Sequence, residues 1–152
     1  MPCWTIEMGV DINIQLEFWL PEENRWSPLE YDGRIPRDAT CFNRDHACWG
    51  FLAGVMGHGP GWFADRGLPE GRDPRDLPYL GEYGFTYATI QELLDAPWDL
   101  GATNWDDASD KEMPTGQSLD GCGFHAWLYT NEMSHKCIVY GYDCIRVLMG
   151  FG

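Results

Sequence analysis

Val10-Asp11-Ile12-Asn13-Ile14-Gln15-Leu16-Glu17-Phe18-Trp19-Leu20 alternates with a strict period of two. The even positions are apolar and the odd ones, apart from Trp19, are polar. A strand points successive side chains to opposite faces, so this run predicts a strand with one face in a core. Pro21-Glu22-Glu23-Asn24 reads as the turn after it. Arg25 to Tyr31 returns as a short edge strand, since Pro28 has no N–H to donate to a ladder.

Working outward, Tyr31 to Thr40 is loop, and Asn43 is an N-cap for a helix over Arg44 to Val55. Cys48, Phe51, Leu52 and Val55 recur there at helical spacing. Gly54 to Pro78 is rich in Gly and Pro, and a loop of that length in a small domain often carries function. Tyr83 to Tyr87 is a short strand. Thr89-Ile90-Gln91-Glu92 fits a capping box opening a helix that stops before Pro97. Trp98 to Gly123 reads as an acidic loop and Phe124 to Met133 as a helix. Lys136 to Tyr142 and Ile145 to Phe151 read as two strands joined at Asp143. The sum is an α+β fold, an antiparallel sheet of about four or five strands with two or three helices on one face. The first and last strands are candidates for neighbours.

The chain has 152 residues, of which 44% are hydrophobic and 14% aromatic, so it can fill a core and is not a disordered chain. Residues 8–152 read as a single domain and residues 1–7 as an N-terminal extension. No apolar run nears the roughly 18 residues that span a bilayer, and Met1 to Ile14 shows no signal peptide. On that reading Cys3, Cys41, Cys48, Cys122, Cys137 and Cys144 are reduced core thiols of a cytoplasmic protein.

The formal net charge is −14. That disfavours nucleic acid and anionic membranes as partners, since both call for a basic surface. The charge is uneven. Residues 95–120 carry a net −6, whereas residues 34–75, with six arginines against five acids, carry +1. The centre of the chain is where an anionic small molecule is tolerated. A homo-oligomer is compatible with the sequence.

Candidate chemistry follows from residue types. Asp11 is a candidate metal ligand, base or ligand-binding acceptor on the polar side of the first strand, although alternation alone accounts for it. Asp45 and His46 open the first helix; Asp45 complements the helix dipole, and His46 is a candidate general base. Gly57-His58-Gly59-Pro60-Gly61-Trp62-Phe63 joins backbone freedom to an imidazole and two stacking rings. No Gly-Lys-Ser/Thr follows, so this is no Walker loop, and a phosphate held there would need the fork of Arg66 or another arginine. Cys122-x-x-His125 and His135-x-Cys137 are a poor match to zinc-site spacing, and no Gly-x-Ser-x-Gly elbow occurs. No metal and no cofactor is expected.

Five motifs in order resemble a family of small phage and actinobacterial proteins. These are Met8-Gly9-Val10-Asp11-Ile12, then Asn43-Arg44-Asp45 with Phe51-Leu52-Ala53-Gly54-Val55, then Arg66-Gly67-Leu68-Pro69, Thr89 to Leu94, and Ile145 to Phe151. Asn13 stands where that family has His, and Met56 where an Arg follows the helix. The resemblance implies a setting: phage genomes, the cytoplasm of a bacterial host, and a counter-defence role against nucleotide immune signals.

The leading expectation is a sponge that binds and sequesters an anionic, nucleotide-derived signal. Its ligand-binding candidates are Asp11, Arg44, His58, Trp62, Phe63, Arg66 and Arg146. A metal-assisted nucleotide hydrolase is the alternative, with Asp11, Asp45, His46 and His58 as its chemistry. An acidic protein–protein inhibitor or DNA mimic is the third reading, motivated by the net charge.

Overall fold

The computed structural model describes residues 12–29, 46–54, 61–77, 80–100, 103–106, 111–114 and 123–152. Its elements are β1 (Ile12–Leu20), β2 (Arg25–Pro28), α1 (His46–Ala53), β3 (Tyr83–Thr89), α2 (Ile90–Asp95), β4 (Thr103–Asp106), β5 (Lys111–Pro114), α3 (Gly123–Leu128), α4 (Asn131–Tyr140) and β6 (Ile145–Phe151). The fold is α+β. Four strands form an antiparallel sheet in the order β2-β1-β6-β3, and β4 pairs with β5 in a separate hairpin. Among the described residues no helix is long and apolar enough to cross a membrane.

The first and last strands are neighbours, as their patterns suggested. Ile12 pairs with Phe151, Leu16 with Val147 and Glu17 with Arg146. This register sets the even residues of β1 and the odd residues of β6 on one face of the sheet. Leu16, Val147, Met149 and Phe151 there join Trp49 and Leu52 of α1, Leu93 of α2, Phe124 of α3 and Met133 of α4 in one buried cluster. The helices therefore pack on that face. All seven residues of β6 are buried, as befits a central strand covered on both sides.

The second face is covered by residues 68–77 and by Leu80. Leu77 and Leu80 pack there on Leu148, with Leu68, Phe85 and Tyr87 beside them. At Gly150 the backbone of Leu80 approaches so closely that a Cβ would collide with the Leu80 carbonyl. The face of β1 that alternation marked as polar is thus not a solvated one: Glu17 on it is fully buried.

The capping box is present as predicted. The Thr89 hydroxyl accepts from the Glu92 amide at 3.1 Å, and Glu92 Oε1 accepts from the Thr89 amide at 3.0 Å. Trp98 closes this region, its indole N–H donating to the Leu93 carbonyl at 2.7 Å.

Three expectations are corrected. Lys136 to Tyr142 is not a strand: residues 131–140 form α4. Thr130 caps it, its hydroxyl accepting from the Met133 amide, and Gly141 ends it at φ 102°. Met133 and Cys137, four apart, supply the buried contacts, while Ile138 and Val139 are exposed. Their strand propensity is overridden because a cap and an i, i+4 buried pair act on the backbone first. The expected helix over Phe124 to Met133 is accordingly two helices, broken between Leu128 and Asn131, which brings the α-helices among the described residues to four. Finally, Trp98 to Gly123 is not all loop, since it holds a short 3₁₀ turn at Trp98–Leu100 and the β4–β5 hairpin.

Cys48 and Cys137 are buried and Cys144 is half-buried, and none of the three is in a disulfide. Burial pushes the Cys137 thiol up to about 11, which keeps it protonated and unreactive. Cys3, Cys41 and Cys122 lie outside the described residues.

Candidate ligand-binding site

The register that pairs Glu17 with Arg146 also builds a site on the second face of the sheet. Arg146 donates from Nε (2.9 Å) and Nη2 (2.6 Å) to Glu17 Oε1. Arg72 arrives from the covering segment, and its Nη2 lies 2.5 Å from Glu17 Oε2. The same nitrogen donates to the Trp26 carbonyl at 3.0 Å. Gln15, two residues along the same face of β1, adds its Nε2 to Glu17 Oε2 at 3.2 Å. One fully buried carboxylate thus holds two guanidiniums, and the group carries one positive charge in excess.

Aromatic rings frame the charges. The Arg146 guanidinium lies 4.2 Å from the Trp26 ring centroid and 5.9 Å from that of Tyr87. Such placement over a ring face is favourable for a cation, more so when it is desolvated. Trp19 meets Trp26 across the β1–β2 pair, edge on, with centroids 5.6 Å apart. Burial holds the Arg146 pKa below its ordinary value, and Glu17 pulls it back up. Arginine keeps its proton throughout.

Above this floor opens a pocket of about 520 Å³. The β1–β2 hairpin contributes Trp19, Asn24, Arg25 and Trp26, and the sheet contributes Tyr87 and Arg146. The loop Pro69-Glu70-Gly71-Arg72 makes the opposite wall. That volume is within the range of small-molecule sites. Arg25 at the rim is paired with Glu23 at 3.2 Å, and both are exposed.

The wall loop is pinned at both ends by arginines. Arg72 ties one end to Glu17. At the other, Arg66 donates from Nη1 and Nη2 to the two Glu92 oxygens, at 3.0 and 2.6 Å, and from Nη1 to the Tyr87 carbonyl at 3.0 Å. This bidentate bond holds the Glu92 carboxyl below its ordinary range and raises the Arg66 pKa. Arg66 also covers the rings of Phe63 and Tyr87, at 4.8 and 5.5 Å.

Of the residues singled out from sequence, Arg146 lines the pocket. Arg66 stands behind its Tyr87 wall, committed to Glu92. Trp62 is exposed, whereas Phe63 is buried beneath Arg66 and offers no open face as a stacking platform. His46 begins α1, and its side chain is not among those described; Asp11, Arg44, Asp45 and His58 lie outside the described residues. Of the zinc-spaced residues, His125 is buried against Trp98 at 4.8 Å and His135 is exposed. Among the described residues no group of three or more His, Cys, Asp or Glu could hold a metal.

Sequence reasoning passed over Glu17, Trp19, Trp26, Arg72 and Tyr87 as site residues. One signal was present: Trp19, large and apolar, occupies the polar phase of β1 two residues from Glu17. A tryptophan there announces a second covered face.

The fold and site define an α+β protein with an arginine-floored, aromatic-walled pocket. Compared with known proteins, the chain matches no family model, no curated protein and no solved structure.

Proposed function

We propose that this protein binds a small anionic molecule of the nucleotide class in the Arg72–Arg146 pocket and holds it intact. The observation that carries the reading is the pair of guanidiniums sharing one buried carboxylate, walled by three aromatic rings. The excess positive charge suits a phosphate, for which arginine is the matched fork. Trp26 and Tyr87 already carry guanidiniums, whereas Trp19 makes only an edge contact with Trp26 among the described residues. Trp19 is therefore the ring on which a base stacks. The lining supplies groups that grip and stack, and among the described residues it includes no histidine, cysteine or serine to act as a nucleophile. The resemblance to phage proteins gives such a ligand a setting, a nucleotide immune signal sequestered by a counter-defence sponge in a bacterial host.

The test is direct. Purified protein is incubated with a panel of cyclic and linear nucleotides, washed by filtration and heat-denatured, and both fractions are analysed by mass spectrometry. The expected result is an intact nucleotide released on denaturation, with retention lost in Arg72→Ala and weakened in Trp19→Ala. A product of new mass in the filtrate would replace sequestration with the hydrolase reading. Retention undiminished in both variants would place the ligand elsewhere.

A further inference from the structure

We propose that Glu17 is a built-in competitor for this site: its carboxylate occupies the position on Arg72 that a ligand phosphate takes over, while Arg146 stays in place. The inference rests on the pocket reading above and goes on to say which residue sets its affinity.

The two arginines are held differently. The Arg146 side chain is 7% exposed, grips Glu17 Oε1 through two nitrogens, and is pressed on Trp26. The Arg72 side chain is 26% exposed and holds on through Nη2 alone, shared between Glu17 Oε2 and the Trp26 carbonyl. Its Nε and Nη1 have no hydrogen-bond partner among the described residues. Its neighbour Gly71 sits at φ 84°, on the loop that forms the pocket wall. Arg72 is thus the guanidinium that can turn toward an incoming anion.

Glu17 is equipped to let it go. Removing one partner of a buried ion pair is normally costly because a bare charge remains. Here Oε1 keeps both Arg146 bonds and Oε2 keeps the Gln15 amide. The carboxylate therefore remains paired when Arg72 departs, and the exchange trades one ion pair for another. A phosphate wins it because it takes a whole edge of the guanidinium, Nη2 together with the idle Nε or Nη1, whereas Glu17 holds Nη2 through one carboxylate oxygen. Glu17 then serves two ends: it pre-positions the cations while the site is empty, and it discounts the affinity for any anion too weak to displace it.

The prediction runs against the usual one for a buried residue: Glu17→Gln should tighten anion binding. Wild type, Glu17→Gln and Arg72→Gln are titrated with inorganic phosphate and with adenosine 5′-monophosphate, by calorimetry and by thermal unfolding. Glu17→Gln is expected to bind both probes about tenfold more tightly or better, the scale of one charge-assisted contact, and Arg72→Gln to lose binding by a like factor. Should Glu17→Gln fold only with phosphate present, the same competition is shown. Wild-type binding with no gain in a folded Glu17→Gln overturns the competition and leaves the pocket reading standing. No binding of either probe by wild type and Glu17→Gln alike overturns both. If Glu17→Gln fails to fold at any phosphate concentration, arginine side-chain NMR of the wild type decides. Probe binding should shift the Arg72 guanidinium signals and leave the Arg146 Nε–H in place, and displacement of both would sink the proposal.

Discussion

The two faces of β6 are equally buried and are built on different principles. Toward the helices it presents Ile145, Val147, Met149 and Phe151, which join one large apolar cluster. Toward the covering segment it presents Arg146, Leu148 and Gly150. On the first face a residue is constrained by volume and shape, and exchanges of similar size are tolerated. On the second, each residue answers to one particular neighbour: Arg146 to the Glu17 carboxylate, Leu148 to Leu77 and Leu80, and Gly150 to the Leu80 carbonyl. The lesson is that burial alone does not tell what a residue contributes. The helical face stabilises the fold. The other face spends part of its burial on a charged cluster whose worth to stability is small, and whose worth to a ligand is that it is already assembled.

The largest effect should come from splitting the charged cluster. Arg146→Met leaves Glu17 buried with Arg72 as its single cation and should cost about 3–5 kcal/mol in denaturant unfolding. The contrast with the other face lies in rescue. Glu17→Met in the same chain removes the carboxylate left with Arg72 alone and should return most of that stability. A double variant as unstable as the single one would mean that the cluster holds the fold rather than the site.

On the helical face Leu52, fully buried in α1, gives the matching measurement. Leu52→Ala should cost about 2–5 kcal/mol, the removed methyl groups plus the cavity they leave. No second substitution restores it by neutralising a charge, and nucleotide retention per folded molecule should be unchanged. Loss of retention in folded Leu52→Ala would break the division of labour between the faces.

The first face was legible in the sequence and the second was not, for a physical reason. Alternation in Val10 to Leu20 reports which side chains share a face, and an apolar phase can only be buried, so the core face followed from it and the α+β class from the full run of elements, while the β1–β6 pairing was a candidate that the sequence left open. A polar phase is ambiguous. Asn13, Gln15 and Glu17 would read the same on a solvated strand as under a covering loop. What settles it is the Glu17–Arg146 register, a contact across 129 residues, and the return of Arg72 from a segment without periodicity. Arg146 was reachable from sequence as one cation among several; its partners were not. The Thr89 capping box was legible because every contact in it is local. Ile138 and Val139 misled because propensity was weighed without the cap at Thr130 and the stop at Gly141.

Smaller effects test how the pocket wall is held. Thr89→Ala removes the acceptor for the Glu92 amide and should cost about 1 kcal/mol in thermal or denaturant unfolding. Since Glu92 also holds Arg66, the loss should reach the wall as faster amide exchange around Tyr87. Unchanged exchange there would separate the cap from the clamp.

The smallest effect carries a sign that can be checked against pH. The hydrogen bonds from Arg66 hold Glu92 below its ordinary pKa of 4.5. A carboxyl lowered in the folded state contributes stability above its unfolded value and loses it as pH falls through the folded one. Glu92→Gln should therefore be less stable than wild type at pH 7, with the gap closing as pH drops below 4.5. The pair is about a third exposed, so solvent screening should keep the gap at pH 7 under about 1 kcal/mol. Parallel pH–stability curves would show that Arg66 and Glu92 meet without mutual stabilisation. In that case the Arg66 end of the wall loop rests on its bond to the Tyr87 carbonyl and on the Phe63 and Tyr87 rings. A closing gap means instead that the Arg66 end stays fixed while Arg72 changes partners, which confines the motion to the few residues around Gly71.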